Sequence, residues 1–146
     1  MNNFLERNYV SRVSASAAAA QTDIDSSRLD LQTITGDEVT FLLALGDVTA
    51  TSALEIQVWE HTADAAAGTQ ITASQCTFTA AAADADSKLM AITVKRSKIT
   101  KRYVYAKIKR GTANAVVDGV FAIVSNPRVL PVTQPSEVIK QAALAA

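Results

Sequence analysis

Apolar residues recur at every second position in several short runs of this chain, the period of half-buried β-strands. In ALEIQVWEHT (residues 53–62), Leu54, Ile56 and Val58 fall on one side, and Glu55, Gln57 and Trp59 on the other. In KLMAITVKRS (88–97), Met90, Ile92 and Val94 share a side. In RYVYAKIKR (102–110), Val104, Ala106 and Ile108 read as inward, with Tyr103, Tyr105, Lys107 and Lys109 outward. Two further runs, EVTFLLALG (38–46) and AVVDGVFAIVS (115–125), are apolar almost throughout. They predict central strands covered on both faces. The parity of GTQITASQCTFTA (68–80) breaks between Ala73 and Cys76, which predicts a bulge or two short strands.

Turn chemistry separates these runs. TGDE (35–38), LGDVTATS (45–52) and KRGTAN (109–114) fit hairpin loops or corners. The alanine tracts SASAAAAQT (14–22), ADAAAGT (63–69) and TAAAADADS (79–87) have helical propensity but are short. Isolated helices of that length are marginal, so loops or strand ends are expected there. Many short strands without long helices predict an all-β protein, a single antiparallel β-sandwich of jelly-roll or Ig-like type. The sandwich is expected over residues 26–130. Residues 1–25, polar and alanine-rich, are expected to form an extended N-terminal arm. Residues 131–146 are expected to form a C-terminal tail or short helix, with Ser136 as its cap and Val138, Ile139, Ala142 and Ala143 as its apolar set.

Composition narrows the function. The chain has 146 residues, the size of one domain. Basic and acidic residues number 14 each and cancel, so no general field draws nucleic acid or an anionic membrane. The single cysteine, Cys76, has no internal disulfide partner and reads as a small buried hydrophobe. A chain without disulfides suits maturation in a reducing cytoplasm. No apolar run reaches the ~18 residues of a membrane span, and MNNFLERNYVSR lacks the apolar region of a secretion signal.

Catalytic patterns are absent from the sequence. His61 is the only histidine and reads as a surface residue at a strand end. One His and one Cys do not make a zinc site. Asp84 and Asp86 have a spacing seen in calcium loops, without the glycine and distal glutamate of an EF-hand. Asp118, inside an apolar run, needs a partner such as Arg102 or Arg110 if buried, or else faces solvent at a bulge. No cofactor motif occurs, so an enzyme is not expected. The basic stretches KRSKITKR (95–102) and KIKR (107–110), with Tyr103 and Tyr105 between them, fit a solvated hairpin face, an acidic protein partner or, less well, nucleic acid.

Two segments, VTFLLALGDVTATSALEIQVWEHTAD (39–64) and KRYVYAKIKRGTANAVVDGVFAIVSNPR (101–128), resemble recurrent segments of small virion structural proteins of tailed bacteriophages. In both, a strand leads through a threonine-containing turn to a second strand, the latter pair closing on Pro-Arg. The resemblance covers about residues 28–130. It implies a capsid decoration (cement) protein that binds the outside of the head without catalysis. A head-completion, connector or tail-associated protein is the alternative within the virion, and a glycan-binding sandwich using Trp59, Tyr103 and Tyr105 the alternative outside it. The implied partner is the major capsid protein, with a homotrimer at three-fold positions and synthesis in the host bacterial cytoplasm. Candidate contact residues are the basic hairpin face (Lys107, Lys109, Arg110), the N-terminal segment (Phe4, Leu5, Tyr9) and the C-terminal segment (Val138, Ile139, Leu144). The apolar members of these ends have no evident core of their own.

Overall fold

The computed structural model describes residues 3–65, 67–136 and 138. A short helix, α1 (Phe4–Arg7), opens the chain under a capping box in which Asn3 and Glu6 satisfy each other's backbone N–H. Ten strands follow: β1 (Asn8–Ser14), β2 (Ala17–Ala20), β3 (Ile24–Asp25), β4 (Leu29–Asp30), β5 (Glu38–Val48), β6 (Ala53–His61), β7 (Thr69–Thr79), β8 (Leu89–Lys95), β9 (Tyr103–Gly111) and β10 (Ala115–Ser125). They form two sheets. Sheet I runs β1–β10–β5–β8, with β2 continuing the β1 edge along β10. Sheet II runs β3–β9–β6–β7, with β4 continuing the β3 edge along β9.

The wiring is that of one long antiparallel hairpin rolled up. β6 pairs with β7, β5 with β8, β3/β4 with β9, and β1/β2 with β10. Counting β1/β2 and β3/β4 as one strand each gives eight strands and the jelly-roll connectivity. That settles the choice the strand pattern leaves between jelly-roll and Ig-like sandwiches.

The core lies between the sheets, as the alternation predicts. Val39, Phe41, Leu43 and Leu45 of β5 face Leu54, Ile56 and Val58 of β6 and Val104, Ala106 and Ile108 of β9 across the interior. Each fully buried Leu, Ile or Phe contributes roughly 1.5–3 kcal/mol. β7 is one strand with a bulge. Gln57 pairs with Gln75 but Trp59 with Gln70, so extra residues of β7 are looped out. Ser74 fills the break: its hydroxyl shares its one proton between the Val58 and Ile71 carbonyls and accepts from the Val58 N–H. Ala73 takes a left-handed φ of 61° there.

The ends differ from expectation. The arm expected over residues 1–25 is largely folded into the sandwich, since β1 and β2 form an edge of sheet I and β3 an edge of sheet II. Its polar alternation, with Ser11 and Val13 inward and Arg12 outward, is an edge-strand pattern. Residues 127–136 continue past β10 and lie against the N-terminal segment, where Val132 N–H donates to the Glu6 carbonyl. Most of the expected C-terminal helix (137 and 139–146) lies outside the described residues.

Candidate functional site

The reactive side chains are dispersed. His61 Nδ1 accepts the N–H of Ala63 inside its own turn at 2.8 Å. Cys76 sits opposite Ile56, five positions along β6 from His61, or roughly 16 Å at strand rise. It is half-buried against the core. Asp84 and Asp86 serve as backbone acceptors, Asp84 for Ala81 N–H and Asp86 for Val48 N–H, each at 2.8 Å. Asp118 is exposed at a bulge in β10, solvent-facing as the second of its two expected positions. Among the described residues no three His, Cys, Asp or Glu side chains come together, and no helix is long and apolar enough to cross a membrane. The molecule presents surfaces, and its two outer faces are unlike.

Sheet II turns a polar, aromatic face outward, and that face is occupied by its own residues. Tyr105 is fully buried although it points away from the core. Arg28 stacks on its ring at 4.6 Å, Trp59 packs beside it at 6.4 Å, and Gly68 donates its N–H to the hydroxyl at 3.1 Å. A Cβ on Gly68 would lie 2.8 Å from that hydroxyl, so only glycine lets the β6–β7 loop close over the ring. Trp59 gives its indole N–H to Gln57 and carries Lys107 over its ring at 4.6 Å. Lys107 also pairs with Asp25 at 3.3 Å. Arg102 lies over Tyr103 and grips Asp30 with two hydrogen bonds of 2.8 and 2.6 Å. That bidentate bond holds the Asp30 carboxyl below its ordinary range and raises Arg102.

Tyr105, expected outward, and Arg110, expected on a basic docking face, are both internal. Tyr105 is covered by the loop, and Arg110 follows inward parity at the end of the strand. The Arg110 guanidinium donates to the carbonyls of Thr22, Ala18 and Ala115 and to the Thr22 hydroxyl. It pins residues 18–22 to the end of β10 and is not part of a basic docking face. Burial lowers its basicity, with Asp23 opposing. Of the expected basic set, Lys109 remains half-buried beside Glu55 in the register, and Lys107 is engaged by Trp59 and Asp25.

Sheet I turns an apolar face outward. The register places Val10, Ile123, Thr40 and Thr93 in one row across its four strands, and Arg12, Phe121, Leu42 and Ala91 in the next. Ala44 and Leu89 follow in a third row, Leu89 at 67% exposure. A polar row, Asn8, Ser125, Glu38 and Lys95, bounds one end. Among the described residues no further layer covers this face, whereas the sequence predicts β5 and β10 to be covered on both sides. Both strands are central, as expected, but the expected covering of their outward side is not found among the described residues, where Leu42, Phe121 and Ile123 are half-buried.

The chain ends meet at the β1 edge. Gln134 accepts the Val10 N–H and donates to the Leu5 and Asn8 carbonyls. Leu5 and Tyr9 are half-buried here, Tyr9 against the core, while Phe4 is exposed. Val138 is half-buried; Ile139 and Leu144 lie outside the described residues. Val129 and Leu130, which carried no signal beyond their neighbouring prolines, are also exposed.

No protein-family model matches the chain, and no curated protein matches it. Solved structures do. The PBSX exported protein XepA aligns over 99% of this chain and 46% of its own, with a TM-score of 0.51 at 14% identity. VP2 in the subviral particle of infectious bursal disease virus aligns over 82% of this chain and 32% of its own, with a TM-score of 0.45 at 18% identity. A chain of Bacillus endospore appendages, disulfide-linked pili, aligns over 87% of this chain and 95% of its own, with a TM-score of 0.44 at 15% identity. The chain thus spans less than half the length of the first two. At these identities the likeness is one of fold: an antiparallel β-sandwich.

Proposed function

We propose that the protein is a non-catalytic structural component of a tailed-phage virion, a decoration protein seated on the outside of the head. The observation that carries this reading is the outward apolar face of sheet I. Leu42, Phe121 and Ile123, each half-buried, lie on the two central strands, with Val10 and Arg12 beside them on the β1 edge and Glu38 and Lys95 at one end. An apolar centre with a polar rim is the anatomy of a protein-binding patch. Jelly rolls recur in viral capsids and also in lectins. A glycan site would need free aromatic platforms. Here Tyr105 is buried, Lys107 lies over the Trp59 ring and Arg102 over Tyr103, so each of the three expected rings is already engaged. The resemblance of residues 39–64 and 101–128 to phage virion segments favours the virion reading.

Quantitative mass spectrometry of purified particles tests it. A copy number comparable with that of the major capsid protein is expected for decoration. A number fitting one small ring moves the protein to the connector or tail, and absence from the particle rejects the virion reading.

A further inference from the structure

A two-sheet sandwich has four edges at which a strand can add, and this molecule leaves them unequally protected. Gln134 occupies the β1 edge through its bonds to Val10 and Asn8. The β3/β4 edge consists of two strands of two residues, each ending in an aspartate held by a cation. β8 has seven residues, follows Lys88 and ends in Lys95. β7 has eleven residues, Thr69–Thr79, with no Lys, Arg, Asp, Glu or Pro. Brevity, charge and proline are the usual means of blocking an edge, and β7 lacks all three. Its bulge disturbs only the first half. Gln75–Thr79 pairs without interruption against Ala53–Gln57.

Within that regular stretch Cys76 and Phe78 sit opposite Ile56 and Leu54, on the core side. Neither is sealed: Cys76 is half-buried, and Phe78 is 41% exposed beside a notch of about 310 Å3 with Leu45, Ala85 and Met90 at its base. Further along β7 and β8 lies a second groove of about 880 Å3, with Ile71, Ser74 and Val94 among its lining residues.

We propose that β7 pairs edge to edge, antiparallel, with β7 of a second copy of this chain, about a two-fold axis at Thr77. Three features select a second copy as the occupant. A two-fold interface must be self-complementary, and the regular stretch extends two residues to either side of Thr77. Residues directly opposite in an antiparallel pair share a face. Cys76 therefore meets the partner's Phe78 on the core side, so each copy closes the other's notch, while Thr77 meets the partner's Thr77 outside. Finally, a strand without charges places no like charges together when it meets itself. The pairing does not depend on the virion reading.

Sedimentation analysis of the full chain tests the proposal. The expected mass is twice the 15.4 kDa of the monomer. Thr77→Lys and Thr77→Glu each bring two like charges together at the axis and are expected to reduce the mass to one chain. An equimolar mixture of the two is expected to restore the dimer, which no merely unfolded variant could do. Circular dichroism checks that each variant is folded, and Ile123→Lys on sheet I is expected to leave the dimer intact. A wild-type monomer or trimer at the highest soluble concentration overturns the proposal. So does a dimer that survives both Thr77 variants, or one that only Ile123→Lys dissociates.

Discussion

The two outer faces of the sandwich solve the same problem in opposite ways. Each sheet must present side chains on the side away from the core. Sheet II covers its face with its own atoms: a loop closes over Tyr105, cations lie on Trp59, Tyr103 and Tyr105, and Asp25 and Asp30 neutralise Lys107 and Arg102. Sheet I leaves Val10, Leu42, Phe121 and Ile123 on its surface with only rim charges around them. A self-satisfied face contributes to folding, and an unsatisfied one is available for binding. Substitutions on sheet II should therefore cost stability, and substitutions on sheet I should cost association.

The largest effect is expected at Tyr105. Removal of a fully buried aromatic side chain costs about 3–5 kcal/mol, and Tyr105→Ala also strips Arg28, Trp59 and Gly68 of their shared contact. Urea denaturation of the folded chain should register the full loss. A loss below about 1 kcal/mol would mean that the loop does not cover the ring in solution.

The next largest effect is expected at Glu60, one residue before the end of β6 and on the wall of the groove beside β7. Its carboxylate accepts the Thr100 N–H at 2.7 Å, the Thr100 hydroxyl at 2.7 Å and the Lys101 N–H at 3.2 Å. Burial pushes the carboxyl up, but these bonds and the Lys101 charge together hold it below its ordinary 4.5. Its folded value is depressed, so its contribution is complete above the ordinary value and is lost as pH falls through the folded one. Glu60→Gln should cost about 1.5–3 kcal/mol at neutral pH, the worth of hydrogen bonds to a charged group. Its stability should also decline less steeply than that of the wild type as pH falls below 4.5. Equal slopes in acid urea titrations would show that another carboxylate governs the decline.

Much of this fold was legible in the chain because alternation reports burial directly. The inward faces of β6, β8 and β9 follow from parity alone, and the broken parity at Ala73 marks the bulge that Ser74 fills. What parity cannot report is a second covering on the far side. Tyr105 and Lys107 have the same parity and differ only because a loop more than thirty residues earlier closes over one of them, as Gly68 shows. Arg110 was read with Lys107 and Lys109 as one basic hairpin face; three backbone carbonyls, brought in by residues 18, 22 and 115, take its charge-assisted bonds instead. The edge strands of residues 8–25 were hidden for a related reason. Short, polar, alanine-rich segments carry little pattern of their own and take their conformation from the strands they join.

Two smaller effects complete the contrast between the faces. Lys107→Met keeps the aliphatic stem but removes the charge from Trp59 and Asp25. The loss should be about 0.5–1 kcal/mol, as for an exposed cation–π contact or surface ion pair, and added salt should narrow it further, because Asp25 is screened by solvent. A loss unaffected by salt would assign the effect to packing. Ile123→Lys should change stability least, by about 0.5 kcal/mol or less, because the lysine stem can still lie across Phe121 and Val10 while its ammonium reaches water. Its effect on association should be the reverse. A charge at the middle of an apolar interface must be desolvated without a partner, so reconstituted particles should retain little of this variant, in contrast to Lys107→Met. Both variants would be compared in one binding assay at matched stability. Equal retention would mean that the apolar face of sheet I takes no part in the proposed docking.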